Sequence, residues 1–188
     1  MKRVLVVGAS ASGKSTFARA LAERLDVPYV ELDALHHGPN WTEASAEVLL
    51  ERVSAAMAAS DGWVLDGGYE RKIGDVGWKR ADTVVYLDQP LGLILWRLWR
   101  RTSRRIRTRE ELWNGNRETW RGAFWGRESL FAWTLRTHRR RRREWPARSA
   151  GINGVRLGSP REAQAFLDGV APGTPPPTPA SEARARPA

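Results

Sequence analysis

The chain has 188 residues, 28% charged and 41% hydrophobic, which is enough for one domain with a core and too few for two ordinary domains. It contains no cysteine, which excludes disulfides, thiolate metal sites and a cysteine nucleophile, and favours the cell interior. No apolar run is long enough to span a bilayer, and the N-terminus lacks the apolar region of a secretory signal. We therefore expect a cytoplasmic protein.

The positive charge is concentrated in one segment. The formal net charge of the chain is +10, whereas residues 97–148 alone hold 17 arginines and five glutamates, a net charge of +12. The rest of the chain is therefore close to neutral. A near-neutral body with one strongly basic segment is expected to attract phosphate groups, either of a nucleotide or of a nucleic acid.

Hydrophobic periodicity and turn residues predict strands that alternate with helices. Strands are predicted at residues 3–7, 28–32, 63–65, 83–87 and 155–157. Helices are predicted at residues 14–25, 43–59, 129–143 and 160–168, with a further long helix after Pro90. The last helix has the clearest start, because Ser159 and Glu162 form a capping box around a proline at the first helical position. This alternation predicts an α/β fold with a parallel sheet.

The C-terminal segment has a different composition. From Pro172 onward, proline, alanine, threonine and arginine alternate without apolar periodicity. Such a segment cannot bury enough surface to offset the entropy of ordering it. We therefore predict one domain at residues 1–170 and a disordered tail at residues 171–188.

A glycine-rich motif lies between the first predicted strand and the first predicted helix. Residues 8–15 read Gly-Ala-Ser-Ala-Ser-Gly-Lys-Ser and fill every required position of G-x-x-x-x-G-K-[ST]. In this motif backbone N–H groups turn inward, the helix N-terminus adds partial positive charge, and Lys14 reaches the β- and γ-phosphates. Ser15 is then a ligand of Mg²⁺. The residues predicted to bind ATP here are Gly8, Ala9, Ser10, Ala11, Ser12, Gly13, Lys14, Ser15 and Thr16.

The chain resembles the small P-loop kinases, a class that includes adenylate, shikimate and gluconate kinases. The resemblance rests on the loop at 8–15, on Leu-Asp-Gly-Gly-Tyr-Glu-Arg at 65–71, and on Leu-Asp-Gln-Pro at 87–90 with two arginines beyond it. It covers roughly residues 1–170 and is greatest for the small adenylate-kinase-like "topology modulation" ATPases of bacteria. It implies a P-loop NTPase fold with a five-stranded parallel sheet flanked by helices. It also implies an arginine- and tryptophan-rich helical lid at about residues 97–148.

Two aspartates at strand ends compete as the carboxylate of the Mg²⁺ site. The resemblance gives Asp66 the position of the acid in adenylate kinases, where a strand-tip carboxylate can hold a Mg²⁺-bound water. Asp88 also ends an apolar strand, but it precedes Pro90 and can instead cap the following helix. We favour Asp66, together with Ser15. The loop at 68–70 departs from the adenylate kinase pattern, which leaves acceptor recognition by this loop open.

Arginines of the basic segment are predicted to contact the nucleotide. By resemblance, Arg97 lies against the adenine and Arg101 contacts phosphate, roles that suit a planar group with paired N–H donors. The alternative is a solvated cationic face. In the later helix, one arginine is expected to complete the phosphate clamp from a set that recurs at helical spacing: Arg136, Arg139, Arg140 and Arg143. The Asn-Gly pair at 114–115 predicts a turn at the tip of the lid.

Tryptophan is also concentrated in the basic segment, where seven of the ten tryptophans lie between residues 96 and 145. They either pack the inside of a small helical lid or form a surface on which nucleic-acid bases stack. We favour packing.

Asp33 follows the second predicted strand, where shikimate and gluconate kinases place an acid near the acceptor hydroxyl. It is predicted to orient that hydroxyl or accept its proton, and the same carboxylate can also reach Mg²⁺. Only about ten residues separate it from the next helix, near Glu43. This spacing favours a small hydroxylated acceptor or a minimal nucleotide.

The sequence thus predicts a Mg²⁺-dependent phosphotransferase that moves the γ-phosphate of ATP to a small-molecule or nucleotide acceptor. Its predicted catalytic residues are Lys14, Asp33, Asp66 and Arg101. The alternative is a nucleic-acid-associated P-loop ATPase that binds through residues 97–148, and a third possibility is a nucleotide-binding regulator without turnover. The kinase is favoured because no RNA- or DNA-binding module signature is present.

Overall fold

A parallel sheet forms the centre of the part of the chain that the computed structural model describes, residues 1–126 and 129–170. The predicted tail at 171–188 lies outside these residues. The strands are β1 (Arg3–Gly8), β2 (Tyr29–Glu31), β3 (Trp63–Asp66), β4 (Thr83–Leu87) and β5 (Gly154–Leu157). Their spatial order is β2-β3-β1-β4-β5, and all four pairings are parallel. The predicted α/β fold with a five-stranded parallel sheet is confirmed.

Helices flank this sheet and also occupy most of the basic segment in which the lid was predicted. They are α1 (Lys14–Leu25), α2 (Leu32–His36), α3 (Ala46–Ala58), α4 (Glu70–Ile73), α5 (Val76–Arg80), α6 (Leu91–Thr108), α7 (Trp120–Phe124), α8 (Leu130–Ser149) and α9 (Pro160–Gly169). Two 3₁₀ turns lie at Pro39–Trp41 and Trp113–Gly115. Within residues 1–126 and 129–170, no helix combines the length and hydrophobicity needed to cross a bilayer.

Several predicted boundaries shift for local reasons. The strand predicted at 28–32 ends at Glu31, because the chain turns directly into α2. The helix predicted at 43–59 begins only at Ala46, because the Ser45 hydroxyl accepts a hydrogen bond from the backbone N–H of Val48 and caps it. The short helices α4 and α5 were not predicted, since four or five residues are too few to show a helical period.

The sheet is buried on both faces. Leu5 and Leu65 belong to the hydrophobic cluster on one face, whereas Val4 and Val6 pack with Phe17 of α1 on the other. This burial explains why the strands appear in the sequence as continuous apolar runs rather than as alternating patterns.

The carboxyl ends of the central strands meet at one edge of the sheet. Val6 of β1 is in register with Asp66 of β3, and Gly8 is in register with Leu87 of β4. Ligands of open α/β sheets bind in the crevice outside the carboxyl ends of the strands. The glycine-rich loop and Asp66 therefore lie at the edge where a ligand is expected.

The tryptophans of the lid are mostly exposed, which contradicts the expectation that they pack its interior. Five have exposed fractions between 39% and 78%, namely Trp96, Trp99, Trp120, Trp125 and Trp133. On α6 the reason is the register of the helix, because Ile94 and Leu98 occupy the buried stripe. Trp145 differs, since it is buried against Tyr86 with 4.9 Å between ring centroids.

A buried carboxylate joins the edge of the sheet to α8. The Asp88 carboxylate pairs with Arg156 of β5, lies 3.0 Å from Arg142 of α8 and accepts a hydrogen bond of 3.1 Å from the Tyr86 hydroxyl. The alternative that Asp88 caps the following helix is wrong, because the residue at the start of α6 is Pro90 and no side chain caps it. Asp88 is thus a structural residue that holds β4, β5 and α8 together.

We predict that Asp88→Asn lowers the free energy of unfolding by about 1–3 kcal/mol, because it removes the charge of these hydrogen-bonded pairs. The matched control is Glu144→Gln, whose exposed pair with Arg140 spans 3.6 Å and is expected to contribute at most about 0.5 kcal/mol. Chemical denaturation of both variants measures the difference. Equal losses in the two variants would contradict the structural role of Asp88.

Candidate active site

The glycine-rich loop between β1 and α1 has a backbone conformation that requires glycine at two positions. A Cβ on Gly8 would lie 2.7 Å from the Ser12 hydroxyl oxygen and 3.1 Å from the Leu87 carbonyl oxygen. Gly13 has a φ of 94°, in the left-handed region that L side chains rarely adopt. The loop then passes into α1, where the Phe17 N–H donates to the Gly13 carbonyl oxygen. This is the conformation in which a loop and a helix N-terminus together bind an anion.

Lys14 and Asp66 form an ion pair beside the loop. The Lys14 Nζ atom lies 3.3 Å from Asp66 Oδ1, and the Asp66 side chain is only 1% exposed. The Tyr29 hydroxyl donates to the other carboxylate oxygen over 2.9 Å. Burial, and then the charge of Asp66, raises the pKa of Tyr29, so the phenol remains protonated and continues to donate. The structure therefore brings two predicted site residues together at the end of β3.

The two arginines predicted on α6 both lie over the loop. Arg101 Nη2 donates to the Ser10 hydroxyl over 3.2 Å, and Arg97 Nη1 lies 3.6 Å from the point where Gly13 would carry a Cβ. The Arg101 Nε atom is buried without a hydrogen-bond partner among the described residues. Burial, and then the charge of Arg105, lowers the pKa of Arg101. A buried cation with an unused donor beside a glycine-rich loop is suited to bind an anion.

A third arginine reaches the loop from α8. The Arg141 Nη1 atom donates to the Gly8 carbonyl oxygen over 2.9 Å, and the guanidinium lies over the Trp133 ring, 5.0 Å from its centroid. Burial lowers the pKa of Arg141. Arg141 is therefore a site residue that the sequence analysis missed.

The register of α8 explains why Arg141 rather than a residue of the predicted set makes this contact. The buried residues of α8 are Thr134, Thr137, His138 and Trp145. Arg141 falls on the same face, four residues from both Thr137 and Trp145. The predicted arginines at 136, 139, 140 and 143 lie on the exposed face. Arg141 lies four residues before the apolar Trp145, and this helical spacing was the signal that could have placed it on the buried face.

Asp33 lies in α2, directly after the carboxyl end of β2. The Tyr69 hydroxyl donates to Asp33 Oδ1 over 2.7 Å and lies 3.5 Å from His37 Nε2. Burial, and then the charge of Asp33, raises the pKa of Tyr69, which therefore remains a donor. The charge of Asp33 also acts on Arg101. The predicted acceptor-side carboxylate thus lies on the same side of the sheet as the phosphate loop.

Lys72 of α4 forms a polar cluster with His36 and Glu43. The sequence did not indicate this cluster. Lys72 Nζ donates to Glu43 Oε2 over 2.7 Å and lies 3.4 Å from His36 Nε2. Burial, followed by the charge of Lys72, lowers the pKa of His36. His36 is therefore neutral at pH 7, and the cluster keeps its charges on the lysine and the glutamate. Among the described residues, no group of three or more histidines, aspartates and glutamates is arranged to hold a metal ion.

No protein-family model matches the chain, and no curated protein matches it. Solved structures do match it over most of its length. A gluconokinase from Sinorhizobium meliloti 1021 is similar with a TM-score of 0.52 at 21% identity, covering 90% of this chain and 93% of that one. A shikimate kinase from Acinetobacter baumannii in complex with shikimate has a TM-score of 0.53 at 17% identity, covering 89% of each chain.

A deoxyadenosine kinase from M. mycoides with bound dATP is also similar, with a TM-score of 0.51 at 10% identity and coverage of 88% of this chain and 97% of that one. At these identities the similarity is evidence of the fold. The chain therefore shares the α/β fold of these proteins, and the predicted five-stranded parallel sheet flanked by helices is confirmed. The closer likeness to the "topology modulation" ATPases stays a prediction.

We predict that Arg141→Ala weakens binding of tripolyphosphate and of a non-hydrolysable ATP analogue about tenfold, because a charge-assisted contact beside the loop is lost. Arg140→Ala is the matched control, since Arg140 lies on the exposed face of the same helix and pairs with Glu144. Isothermal titration of both ligands measures the effect. Equal affinities of the two variants would remove Arg141 from the phosphate site.

Proposed function

We propose that this chain is a cytoplasmic, Mg²⁺-dependent phosphotransferase that moves the γ-phosphate of ATP to a hydroxyl group of a small-molecule or nucleotide acceptor. The observation that carries the proposal is the convergence of Lys14, Arg97, Arg101 and Arg141 on a single glycine-rich loop. The similar folds of proteins named gluconokinase, shikimate kinase and deoxyadenosine kinase support the same class of reaction.

The cations have separate tasks in this proposal. The inward N–H groups of the loop and the N-terminus of α1 bind the phosphates, and Lys14 bridges the β- and γ-phosphates. Arg97 stacks on the adenine. Arg101 and Arg141 stabilise the negative charge of the transferring group, which is the main task of a protein in phosphoryl transfer because little covalent chemistry is required.

The residues beside Lys14 also fit a magnesium ion. Asp66 Oδ1 is buried and, among the described residues, has the ion pair with Lys14 but no hydrogen-bond donor, and Ser15 lies in the first turn of α1. Oxygen ligands of this type suit a hard cation that keeps several waters. Ser15 would hold the ion directly and Asp66 would hold it through water. The bound ion would neutralise part of the negative charge of the phosphates.

Asp33 acts on the acceptor in this scheme. The acceptor hydroxyl oxygen forms a bond to the γ-phosphorus while the bond from that phosphorus to the bridging oxygen breaks, and ADP leaves with the electron pair. The hydroxyl proton passes to the Asp33 carboxylate. Tyr69 holds that carboxylate in place through the bond to Oδ1. The short connection between α2 and α3 supports an acceptor of small size.

A second candidate function is a nucleic-acid-associated ATPase. One observation favours it: four exposed tryptophans lie within the segment of net charge +12, residues 97–148, and a fifth, Trp96, directly precedes it. Exposed aromatic rings among arginines can stack bases and follow a phosphate backbone. The two candidates differ in whether a small acceptor is phosphorylated.

We predict that Asp66→Asn lowers kcat about a hundredfold while the affinity for an ATP analogue falls less than about fivefold, because its contribution grows as charge moves in the transition state. Lys14→Ala serves as the reference and should lose both binding and turnover. Steady-state kinetics and titration calorimetry separate the two effects. If Asp88→Asn shows this pattern and Asp66→Asn does not, the carboxylate of the Mg²⁺ site is Asp88.

The test of the proposed function is a screen of ATP consumption with nucleosides, nucleoside monophosphates, sugars and sugar acids, beside single-stranded nucleic acid. We expect one small acceptor to be phosphorylated, with kcat reduced about a hundredfold in Asp33→Asn and about tenfold in Tyr69→Phe, which keeps the ring and loses only the donor. Strong stimulation by nucleic acid with no phosphorylated acceptor would favour the second candidate. Nucleotide binding without turnover under every condition would indicate a regulator.

A further inference from the structure

Two turns of similar geometry face each other above the site. We name residues 36–43 the acceptor loop and residues 111–117 the lid turn. Each turn contains a 3₁₀ segment and is closed by one antiparallel backbone bridge. Each also has an asparagine in the left-handed region, Asn40 with a φ of 54° and Asn114 with a φ of 57°. The two turns are distant in sequence, so their contact is a product of the tertiary fold.

Asn116 joins the lid turn to the backbone of the acceptor loop with both ends of its amide. Its Oδ1 atom accepts a hydrogen bond from the Trp41 N–H over 2.7 Å, and its Nδ2 atom donates to the Gly38 carbonyl oxygen over 2.9 Å. The residue is only 3% exposed. Few side chains can bond a backbone donor and a backbone acceptor at once, and an asparagine amide is one of them.

Further contacts support the same junction. Asn114 Nδ2 donates to the His37 carbonyl oxygen over 2.5 Å, and Trp41 Nε1 donates to the Arg117 carbonyl oxygen over 3.2 Å. The rings of His37 and Trp113 are stacked, with 5.9 Å between centroids and an angle of 25°. With the two bonds of Asn116, four hydrogen bonds and one ring contact join the turns.

The lid turn is tied to the phosphate side of the site through α6. Arg105 Nε donates to Glu110 over 3.1 Å and Arg105 Nη1 donates to Glu118 over 3.3 Å, so one arginine holds both ends of the turn. Arg101, one helical turn earlier, donates to Ser10 of the glycine-rich loop. A movement of α6 toward or away from the phosphates therefore moves the lid turn with it.

The acceptor loop also contacts Asp33, the proposed acceptor-side carboxylate, through Tyr69. His37 Nε2 lies 3.5 Å from the Tyr69 hydroxyl, which donates to Asp33. The His37 carbonyl oxygen and the His37 ring are both held by the lid turn. Contacts therefore run without a break from the phosphate loop, through the lid, to the residue proposed to receive the acceptor proton.

We propose that Asn116 is a positioning residue that latches the lid turn onto the acceptor loop, so that one closure orders both the nucleotide side and the acceptor side. This inference rests on the proposed function. In the latched state the lid turn is a wall of the acceptor site, and an acceptor enters before the latch forms. Because the latch stabilises the closed lid, its loss lowers the affinity for any ligand that binds the closed state.

The first arm of the test needs no ligand. Trypsin cleaves after arginine, and the arginines in and next to the lid turn are Arg104, Arg105, Arg107, Arg109, Arg117 and Arg121. We expect Asn116→Ala to be cleaved in this region about tenfold faster than the unmodified chain, since it loses two hydrogen bonds to the acceptor loop and one to the Trp113 carbonyl oxygen inside the lid turn. A saturating non-hydrolysable ATP analogue should restore most of the protection.

The matched control is Glu111→Ala in the same turn, because that carboxylate pairs only locally with Arg117, over 3.6 Å. Its cleavage should equal that of the unmodified chain. Asn116→Asp keeps the acceptor for the Trp41 N–H and loses the donor to Gly38, so its cleavage rate should be intermediate. If Asn116→Ala lowers the melting temperature enough to unfold the chain, Asn114→Ala removes a different bond of the same latch and gives the same comparison.

The second arm measures affinity for the ATP analogue, which should fall about tenfold in Asn116→Ala and stay unchanged in Glu111→Ala. Equal cleavage rates and equal affinities in these two variants would overturn the latch. Failure of the unmodified chain to bind the analogue would instead overturn the proposed function. In that case the ligand-free proteolysis still decides whether the latch exists.

Discussion

The ion pair between Lys14 and Asp66 connects the glycine-rich loop to the centre of the sheet. Asp66 ends a buried strand and is almost fully enclosed, so its charge requires the lysine on one oxygen and the Tyr29 hydroxyl on the other. The lysine in turn can lie there only because the backbone before it turns tightly through Gly13. The loop, the strand end and the first helix are therefore one unit, and the arginines of α6 and α8 converge on it.

The basic segment divides its arginines between two faces. Arg97, Arg101 and Arg141 lie against the loop, and burial lowers the pKa of the last two, because desolvation disfavours the charged guanidinium. The outward arginines share the surface with exposed tryptophans. Part of the positive charge of the segment therefore lies at the glycine-rich loop, and the remainder forms an exposed cationic surface that also carries aromatic rings.

The catalytic groups of the proposed reaction come from separate elements that touch through a few polar contacts. Asp33 is held by Tyr69, the lid turn is held by Arg105, and Asn116 joins the lid to the acceptor loop. Each contact joins residues that are distant in sequence or belong to different elements. In the proposed reaction these contacts would link closure of the lid to ordering of the acceptor side, which would exclude water before transfer.

The sequence by itself determined the features that local patterns encode. Continuous apolar runs predicted the strands of a sheet buried on both faces, and the loop at 8–15 predicted the phosphate site, because its glycines and lysine act at fixed local spacing. Only the tertiary structure decided which long side chains reach that site. Arg141 was missed because its role depends on the rotation of α8 about its axis, and Asn116 because its partners are 75 and 78 residues away. Contacts of this kind depend on how distant elements pack against one another, and a local pattern does not specify which elements meet.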